Sequence, residues 1–442
     1  MTIHSDWSRL FHEECPDAFR THPPKGHHVG IIDGHLQLMS LHKALPSWEA
    51  FMQYLFVKPT LQLFAAGCPR VVLCFDCYNH VPVYKSMTQL KRVHHHTAAR
   101  KVCTFNPDHG LPAHIPEDPM LYLMNRDFKI KLVEMLCERV PPMVQAQMPA
   151  EREFIIDYKR VVLYSSASIP RVMTDLVPMG ESDVKFCRYV DLYGNALVHA
   201  IDGDYLAIAL LYYTQRPLGA NNSIYIYRQL STFPTGAPKP AVKKKVVKCW
   251  VNIQMLYLTI THAVWQSAGS AQTLCNLHTR APFSNADAVQ AAVFLMLLAG
   301  TDFSRSLPWL GPKRLWDHLP NVIAPLMQAV ATADTDDKDT TSNMLADLVI
   351  AKLYRLVFAK HCSAAGTNNS LRHVMSNLLE SKLSPGIKSK LPLHEQVVTT
   401  IQNVFWVMAY WKTHNDIIAT PLDGTCGFVR SASQVTFADL AV

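Results

Sequence analysis

The chain has 442 residues, of which 49% are hydrophobic, so it is long enough to bury a substantial core and to contain more than one domain or lobe. A formal net charge of +7 predicts a mildly basic surface, which is compatible with a polyanionic partner without requiring one. The eleven cysteines are odd in number and scattered through apolar segments, which excludes a complete disulfide framework and indicates a reducing, intracellular compartment.

The first 80 residues predict an alternation of strands and helices. A short helix and a loop precede a strand that ends at Asp33, and a helix then leads to a strand that ends at Asp76. Both strands are apolar runs, HHVGIID and VVLCFD, of the kind that is buried on both faces of a parallel sheet. This alternation predicts an α/β fold.

Residues 81–160 differ in character, and we predict that they form an insertion over the sheet. They begin with the basic, histidine-rich stretch KSMTQLKRVHHHTAARK and continue through a proline-rich loop into the helical pattern RDFKIKLVEMLCERV. Lys85 and Arg92 are seven residues apart, which places them two turns apart on one helix face, and Lys91 adds a third cation. Such cations stabilise negative charge at a phosphate, although a solvated basic helix face is the alternative.

Strand and helix patterns resume after residue 160. Acidic pairs follow apolar segments in GESD and in LVHAIDGD, and a strand, SIYIYRQL, precedes a Pro/Lys-rich stretch. A helix is expected from about Asn285 into FLMLLAGTD. Beyond Asp302 the pattern is mainly helical, with an exposed loop over 331–343.

The most informative feature is a set of carboxylates at the ends of these apolar runs. Each cluster alone is more often a helix cap or surface charge, but the set recurs in α/β order, where strand ends converge on one crevice. Crowded carboxylates repel one another unless cations lie among them, and two Mg²⁺ ions would clamp a phosphodiester for hydrolysis. The carboxylates are Asp33, Asp76, Glu181, Asp183, Asp202, Asp204 and Asp302.

The segment LPWLGPKR is a second candidate site. Gly311 precedes a predicted helix start, and Lys313 and Arg314 follow at once. Backbone N–H groups together with two cations would form a phosphate cradle. The alternative is an ordinary connection between helices with solvated charges.

These segments together resemble the flap endonuclease/XPG-type 5′ nuclease family, in patches over about residues 25–320. IIDGH is similar to the family's first acidic strand end, and CFDCYNHVPVYKSMTQLKR is similar to its second acidic motif and basic gateway helix. GESDVKFCRYV and VHAIDGDYLAI resemble its two acidic pairs. LLAGTDFSRSLPWLGPKR resembles its last metal-site aspartate and helix–two-turn–helix, although the family's Gly-x-Gly is here Trp309-Leu310-Gly311.

The resemblance implies an α/β fold of the PIN-like, 5′ nuclease type, with a mainly parallel central sheet flanked by helices. The implied regions are a nuclease core over 1–300 that includes a gateway or arch insertion at about 81–160, a helix–two-turn–helix DNA-binding region over 301–375, and a helical C-terminal extension over 376–442.

The implied activity is metal-dependent hydrolysis of DNA at flaps, nicks or free 5′ ends, where single strands meet duplex. The seven carboxylates would hold two Mg²⁺ ions, for which Mn²⁺ can substitute, and Lys85 and Arg92 would lie at the phosphate. Lys91, Gly311, Lys313 and Arg314 would contact nucleic acid. We expect a monomer. We expect no membrane association, since Val404–Trp411, the most apolar late segment, has only eight residues and is too short to span a bilayer.

Two other functions stay open. Gln89, four residues after Lys85, also resembles the 5′→3′ exoribonucleases of the same superfamily, although the short chain and LGPKR favour DNA. A non-catalytic nucleic-acid-binding scaffold derived from a nuclease is the third candidate, although buried carboxylates without a metal are costly.

Two local signals bear on location and partners. The basic stretch from Lys239 to Lys248 is either a nuclear localisation signal or a solvated basic loop or DNA-facing strand, and the predicted location is nuclear. The C-terminal SQVTFADLAV resembles a sliding-clamp-binding peptide only in part, because the paired aromatic residues are missing.

Overall fold

The structure, a computed structural model, describes most of the chain. Lys85, Lys91, Arg92 and Asp302 lie outside the described residues. The described ranges are 4–39, 45–77, 105–117, 119–123, 125–166, 168–176, 179–216, 218–219, 222–232, 245–267, 282–300, 306–332, 338–362, 370–413, 428–431 and 434–437.

Nine strands of the described part of the chain form one mixed sheet in the order β1-β9-β8-β7-β2-β3-β4-β5-β6. The strands are β1 (Phe19–Arg20), β2 (Val29–Asp33), β3 (Arg70–Cys74), β4 (Glu153–Asp157), β5 (Val161–Ser165), β6 (Ser168–Val172), β7 (Ala196–His199), β8 (Ile224–Thr232) and β9 (Lys245–Asn252).

Helices cover both faces of this sheet. The helices are α1 (His4–Glu14), α2 (Gly34–Met39), α3 (Trp48–Met52), α4 (Lys58–Ala65), α5 (Pro119–Leu123), α6 (Arg126–Gln145), α7 (Ser182–Tyr193), α8 (Asp204–Thr214), α9 (Ile253–Ser267), α10 (Asn285–Leu298), α11 (Pro312–Asp317), α12 (Leu319–Thr332), α13 (Lys338–Leu345), α14 (Ala351–Val357), α15 (Leu371–Glu380), α16 (Pro385–Lys388) and α17 (His394–Thr413). Short 3₁₀ segments span Pro16–Ala18 and Pro107–His109, and π-helical segments span Gln53–Val57 and Ala346–Ile350.

The middle of the sheet is parallel. Strands β8, β7, β2, β3 and β4 pair in parallel, whereas antiparallel strands extend the sheet beyond both of its ends. Numbered along the chain, the five parallel strands lie in the order 3-2-1-4-5, which is the doubly wound order. Strand order therefore reverses between β2 and β7, and the predicted α/β class with a mainly parallel centre is confirmed.

Alternating side chains of the strands enter two separate cores. Ile31 belongs to the larger core and its neighbour Ile32 belongs to the smaller one, because successive residues of a strand point to opposite faces. Helix α7 packs on β2 and β7, and helix α4 packs on β2 and β3. This double cover explains why the central strands are apolar runs without polar alternation.

The larger core extends from the sheet far into the C-terminal helices. It includes Leu326 of α12 and Trp411 of α17 together with Ile31 of the sheet. Helices α8 and α10 lie between these layers, and their side chains are buried almost all round. A capping box formed by Ser284 and Asp287 begins α10 at the predicted position.

Several segments differ from the sequence-based prediction. Strand β4 pairs within the sheet and helix α6 packs on it, although both fall within the predicted insertion over 81–160. Strand β9 occupies part of the Pro/Lys-rich stretch and pairs with β8, so the basic run from Lys245 to Lys248 lies in a sheet. The predicted loop over 331–343 includes the beginning of α13.

The predicted helical extension over 376–442 contains helices as far as Thr413. Phe428–Ser431 and Gln434–Phe437, in contrast, form a two-stranded antiparallel sheet. Among the described helices, none is long and apolar enough to span a membrane.

Candidate functional site

Four of the predicted carboxylates lie at the carboxyl edge of the parallel strands. Asp33 is the last residue of β2 and is paired in register with Cys74 of β3, so Asp76 follows two residues beyond that edge. Glu181 is the N-cap residue of α7, and Asp183 lies in its first turn. All four are buried, and Glu181 is completely inaccessible to solvent.

Ser182 lies between two of these carboxylates. Its hydroxyl oxygen is 2.9 Å from Asp76 Oδ1 and 3.3 Å from Asp33 Oδ1, and its backbone N–H donates to Asp76 Oδ1 at 2.8 Å. A hydroxyl carries one proton, so it can donate to only one carboxylate at a time. The ends of β2 and β3 and the start of α7 therefore meet at one point.

The electrostatic state of Asp33 reflects this crowding. Burial, followed by the negative charge of Asp76, raises the pKa of the Asp33 carboxyl from 3.8 to about 7, and Asp183 acts in the same direction. Hydrogen bonds from the Leu36 N–H to Oδ1 at 3.1 Å and from the Tyr205 hydroxyl to Oδ2 at 2.9 Å oppose the shift. Since burial and repulsion together outweigh these donors, the ionised form of Asp33 is disfavoured.

Gly34 allows a helix to begin directly after Asp33. A Cβ atom at this position would lie 2.3 Å from the Phe75 ring, too close for any side chain. The missing side chain lets β2 and the residue before Asp76 approach each other, which keeps the two aspartates adjacent.

A second pair of carboxylates follows β7. Asp204 is the first residue of α8 and is buried, and its backbone N–H lies 3.4 Å from Asp202 Oδ1. The next residue, Tyr205, reaches across to Asp33. The strand order reverses between β2 and β7, and the crevice at such a reversal is where doubly wound folds bind ligands.

A buried arginine that no sequence pattern singled out lies beside this second pair. Arg228 of β8 is 2% exposed and donates hydrogen bonds to the Ile201 carbonyl and, at 2.7 Å, to the Ser8 hydroxyl. Burial lowers the pKa of its guanidinium to about 10, while Asp202 and Asp204 act to raise it. Arg228 therefore joins helix α1, the end of β7 and the acidic pair.

Asp157 is a further strand-end carboxylate that the sequence analysis missed, although EFIID has the same pattern as VGIID. Asp157 is fully buried, and Lys185 Nζ, Arg188 and the Tyr189 hydroxyl all contact its carboxylate. Two cations neutralise Asp157, so it differs from Asp33, which has no such partner among the described contacts.

The donor chemistry of the acidic edge suits a hard divalent cation, since carboxylate oxygens are the ligands that Mg²⁺ prefers. The raised pKa of Asp33 also indicates that a bound cation would relieve repulsion. However, no three His, Cys, Asp or Glu side chains within the described ranges are already arranged around a common point that could hold a metal ion. Asp302 lies outside those ranges.

The segment that contains Gly311 begins helix α11, as predicted. Gly311 is the N-cap residue with a φ of −76°, so its conformation does not require glycine. Lys313 Nζ lies 3.2 Å from Glu14 and 3.0 Å from Asp317, and Arg314 donates to the Trp309 carbonyl at 3.1 Å. Both predicted phosphate contacts are therefore engaged within the protein.

Trp309 is the first residue of the tripeptide Trp309-Leu310-Gly311 that precedes helix α11. Its φ of 63° lies in the left-handed region that favours glycine. Its ring packs edge-on against Phe358, with ring centres 5.6 Å apart. The backbone at Trp309 therefore has a conformation that is usual for glycine, although its side chain is bulky.

Comparison with known sequences adds no identification. No protein-family model matches this chain, and no curated protein sequence matches it.

Proposed function

We propose that this chain is a metal-dependent, structure-specific 5′ nuclease that hydrolyses DNA phosphodiesters at flaps, nicks or free 5′ ends. The observation that carries the proposal is the meeting of Asp33, Asp76 and Asp183, which come from three distant segments, at the carboxyl edge of a doubly wound sheet. The sequence resemblance to 5′ nucleases adds the substrate and the reaction. The proposed fold within the α/β class is the PIN-like, 5′ nuclease fold.

The buried carboxylates, together with Asp202 and Asp302, would hold two Mg²⁺ ions, for which Mn²⁺ can substitute. Such ions supply a nucleophilic water and stabilise the charge on the leaving oxygen. The protein's own contribution is to set the carboxylates before the ions bind. Tyr205 and the Leu36 N–H orient Asp33, while the Ser182 N–H and hydroxyl orient Asp76.

Contacts with the phosphate backbone would come from two basic segments. Lys85, Lys91 and Arg92 are proposed to contact the DNA strand that approaches the acidic edge. Lys313 and Arg314, next to Gly311, are proposed to contact duplex DNA. Lys313 would exchange its carboxylate partners for phosphate at little cost, since its side chain is 60% exposed and exposed ion pairs contribute only about 0–1 kcal/mol.

A labelled DNA duplex with a 5′ flap and Mg²⁺ tests the proposal. The wild type should release the flap, and Asp183→Asn should reduce the rate by about 10- to 100-fold or more, since even groups that only support a metal ligand contribute that much. Asp175→Asn is the matched control, because Asp175 is an exposed residue on the approach to the same helix. No cleavage by the wild type, or equal cleavage by Asp183→Asn, would contradict the assignment.

One observation favours a second candidate, a nucleic-acid-binding scaffold without catalysis. The Ser182 hydroxyl occupies the space between Asp33 and Asp76, and no ready metal geometry exists among the described residues. Calorimetric titration with Mn²⁺ separates the two candidates. Heat of binding that Asp183→Asn abolishes supports the nuclease, whereas tight flap-DNA binding without metal binding supports the scaffold.

A further inference from the structure

A long connection separates β4 from α7, the helix whose start carries two candidate metal ligands, Glu181 and Asp183. The chain leaves β4 at Asp157, makes the antiparallel strands β5 and β6 at the edge of the sheet, and returns at Glu181 to begin α7. A short loop would fix the start of the helix against the strand end, but this excursion does not. Noncovalent contacts must therefore hold the beginning of α7 against the sheet.

Lys185 makes contacts that meet this need. It lies one turn after Glu181, is fully buried, and its Nζ donates to Asp157 Oδ1 at 2.9 Å and to the Phe75 carbonyl at 2.7 Å. Phe75 directly precedes Asp76, and its own N–H donates to the Asp157 carbonyl at 2.9 Å. One ammonium group thus joins α7 to the ends of both β3 and β4.

Charge neutralisation alone does not account for Lys185. Arg188 already forms an ion pair with the other oxygen of Asp157, and the Tyr189 hydroxyl donates to the same oxygen at 2.8 Å. Among the described contacts, those that distinguish Lys185 from Arg188 and Tyr189 are with the main chain, to the Phe75 carbonyl and, at 3.3 Å, to the Asp157 carbonyl. These contacts leave the carboxylates of the acidic edge available to other partners.

We propose that Lys185 is a positioning residue that holds Glu181 and Asp183 in place relative to Asp76, in the role that a short β4–α7 loop would otherwise have. This inference rests on the proposed function, since it assigns a purpose to the alignment of those carboxylates. The Ser182–Asp76 contact also aligns the two segments, but it depends on a carboxylate that would bind a cation. The Cys77 N–H also donates to the Gly180 carbonyl, at 2.6 Å, and we assign to Lys185 the role of holding α7 so that this bond persists when that carboxylate changes partner.

The test is Lys185→Met, because methionine fills the buried volume and Arg188 still neutralises Asp157. Amide hydrogen exchange of the full chain should become about tenfold faster or more at the Cys77 and Ser182 amides, which bridge the two segments. The Mn²⁺ concentration for half-saturation in calorimetry should rise about 10- to 100-fold, as for other groups that orient metal ligands. Lys159→Met is the matched control, since Lys159 forms an exposed ion pair with Glu134 close to the same strand end.

The outcomes separate the two proposals. Unchanged exchange and unchanged Mn²⁺ affinity in Lys185→Met, with Mn²⁺ binding by the wild type, would overturn the positioning role and leave the nuclease assignment intact. Faster exchange in a chain whose wild type binds no Mn²⁺ would support the positioning contact and count against the nuclease. If Lys185→Met folds poorly, Lys185→Gln, which retains a donor for one acceptor, is judged by the same two measurements.

Discussion

Replacing Asp33 by asparagine is expected to stabilise the folded protein when no divalent cation is present. The pKa of Asp33 rises from 3.8 to about 7 in the folded state, chiefly through burial and the charge of Asp76. At about 1.4 kcal/mol per pH unit, keeping this carboxylate ionised above pH 7 costs about 4 kcal/mol of folding free energy. Asparagine removes the charge. Its single amide oxygen can accept from only one side of the former carboxylate, so the hydrogen bond from either Ser182 or Tyr205 is lost, at a cost of about 2 kcal/mol.

The sign of the effect depends on pH. A raised carboxyl pKa contributes stability that is complete below pH 3.8 and is lost as the pH rises through about 7. Thermal unfolding in a chelator at about pH 8 should therefore favour Asp33→Asn by about 2 kcal/mol, or roughly 2 °C for a chain of this length. At about pH 5 the carboxyl of the folded wild type is protonated, so the difference should shift by about 3 kcal/mol and the wild type should become the more stable by about 1 kcal/mol.

Asp175→Asn, on an exposed residue, is the control and should show no such pH-dependent difference. A variant Asp33→Asn that is less stable than the wild type at about pH 8 in chelator would refute the reasoning. So would a stability difference that stays constant between about pH 5 and pH 8, because the argument requires the charge to be the cause.

Two further predictions follow from the pKa shifts. Tyr205→Phe removes a hydrogen-bond donor to Asp33, so the pKa of that carboxyl should rise further. The pH above which added Mg²⁺ raises the melting temperature should then be higher than in the wild type. An unchanged pH would contradict this prediction. Burial lowers the pKa of the His27 imidazole, which packs edge-on against Tyr225 with ring centres 5.2 Å apart, from 6.5 to about 4. Its contribution to stability is therefore complete above pH 6.5 and is lost as the pH falls towards 4, so His27→Phe should lose less melting temperature than the wild type between about pH 7 and pH 5.

The parallel centre of the sheet could be predicted because its cause is local. Apolar runs such as VGIID and VVLCFD mark strands that are buried on both faces, and the strand end is where the first carboxylate appears. The same rule places Asp33 and Asp76 at one edge once the strands are known to be parallel. The class of the fold and the neighbourhood of these residues are consequently visible in the sequence.

The electrostatic state of each carboxylate could not be predicted in this way. Asp157 ends a run much like that of Asp33, yet Lys185 and Arg188 neutralise it from a helix that begins 25 residues later. Arg228 likewise meets Ser8, more than 200 residues away. Such pairings depend on how the elements pack, and a single sequence does not encode them in any local pattern.

The boundaries of the predicted insertion illustrate the same limit. The polar, proline-rich loop before α6 suggested an excursion that continued to residue 160, but β4 returns to the centre of the sheet within it. Strand β9 was only one alternative for its basic stretch, because its lysines and the prolines upstream also favoured a loop, whereas pairing with β8 determines its structure. Tertiary pairing here overrides a composition that is unfavourable for strands.

Helix α1 contacts two parts of the molecule that lie far apart in the sequence. Ser8 accepts a hydrogen bond from Arg228 beside Asp204, while Glu14, six residues and about 9 Å along the same rod, holds Lys313. A ligand that draws Lys313 away from Glu14 would break only an exposed ion pair and leave the rod in place, because Phe11 of the same helix is fully buried and packs edge-on against Trp316 of α11.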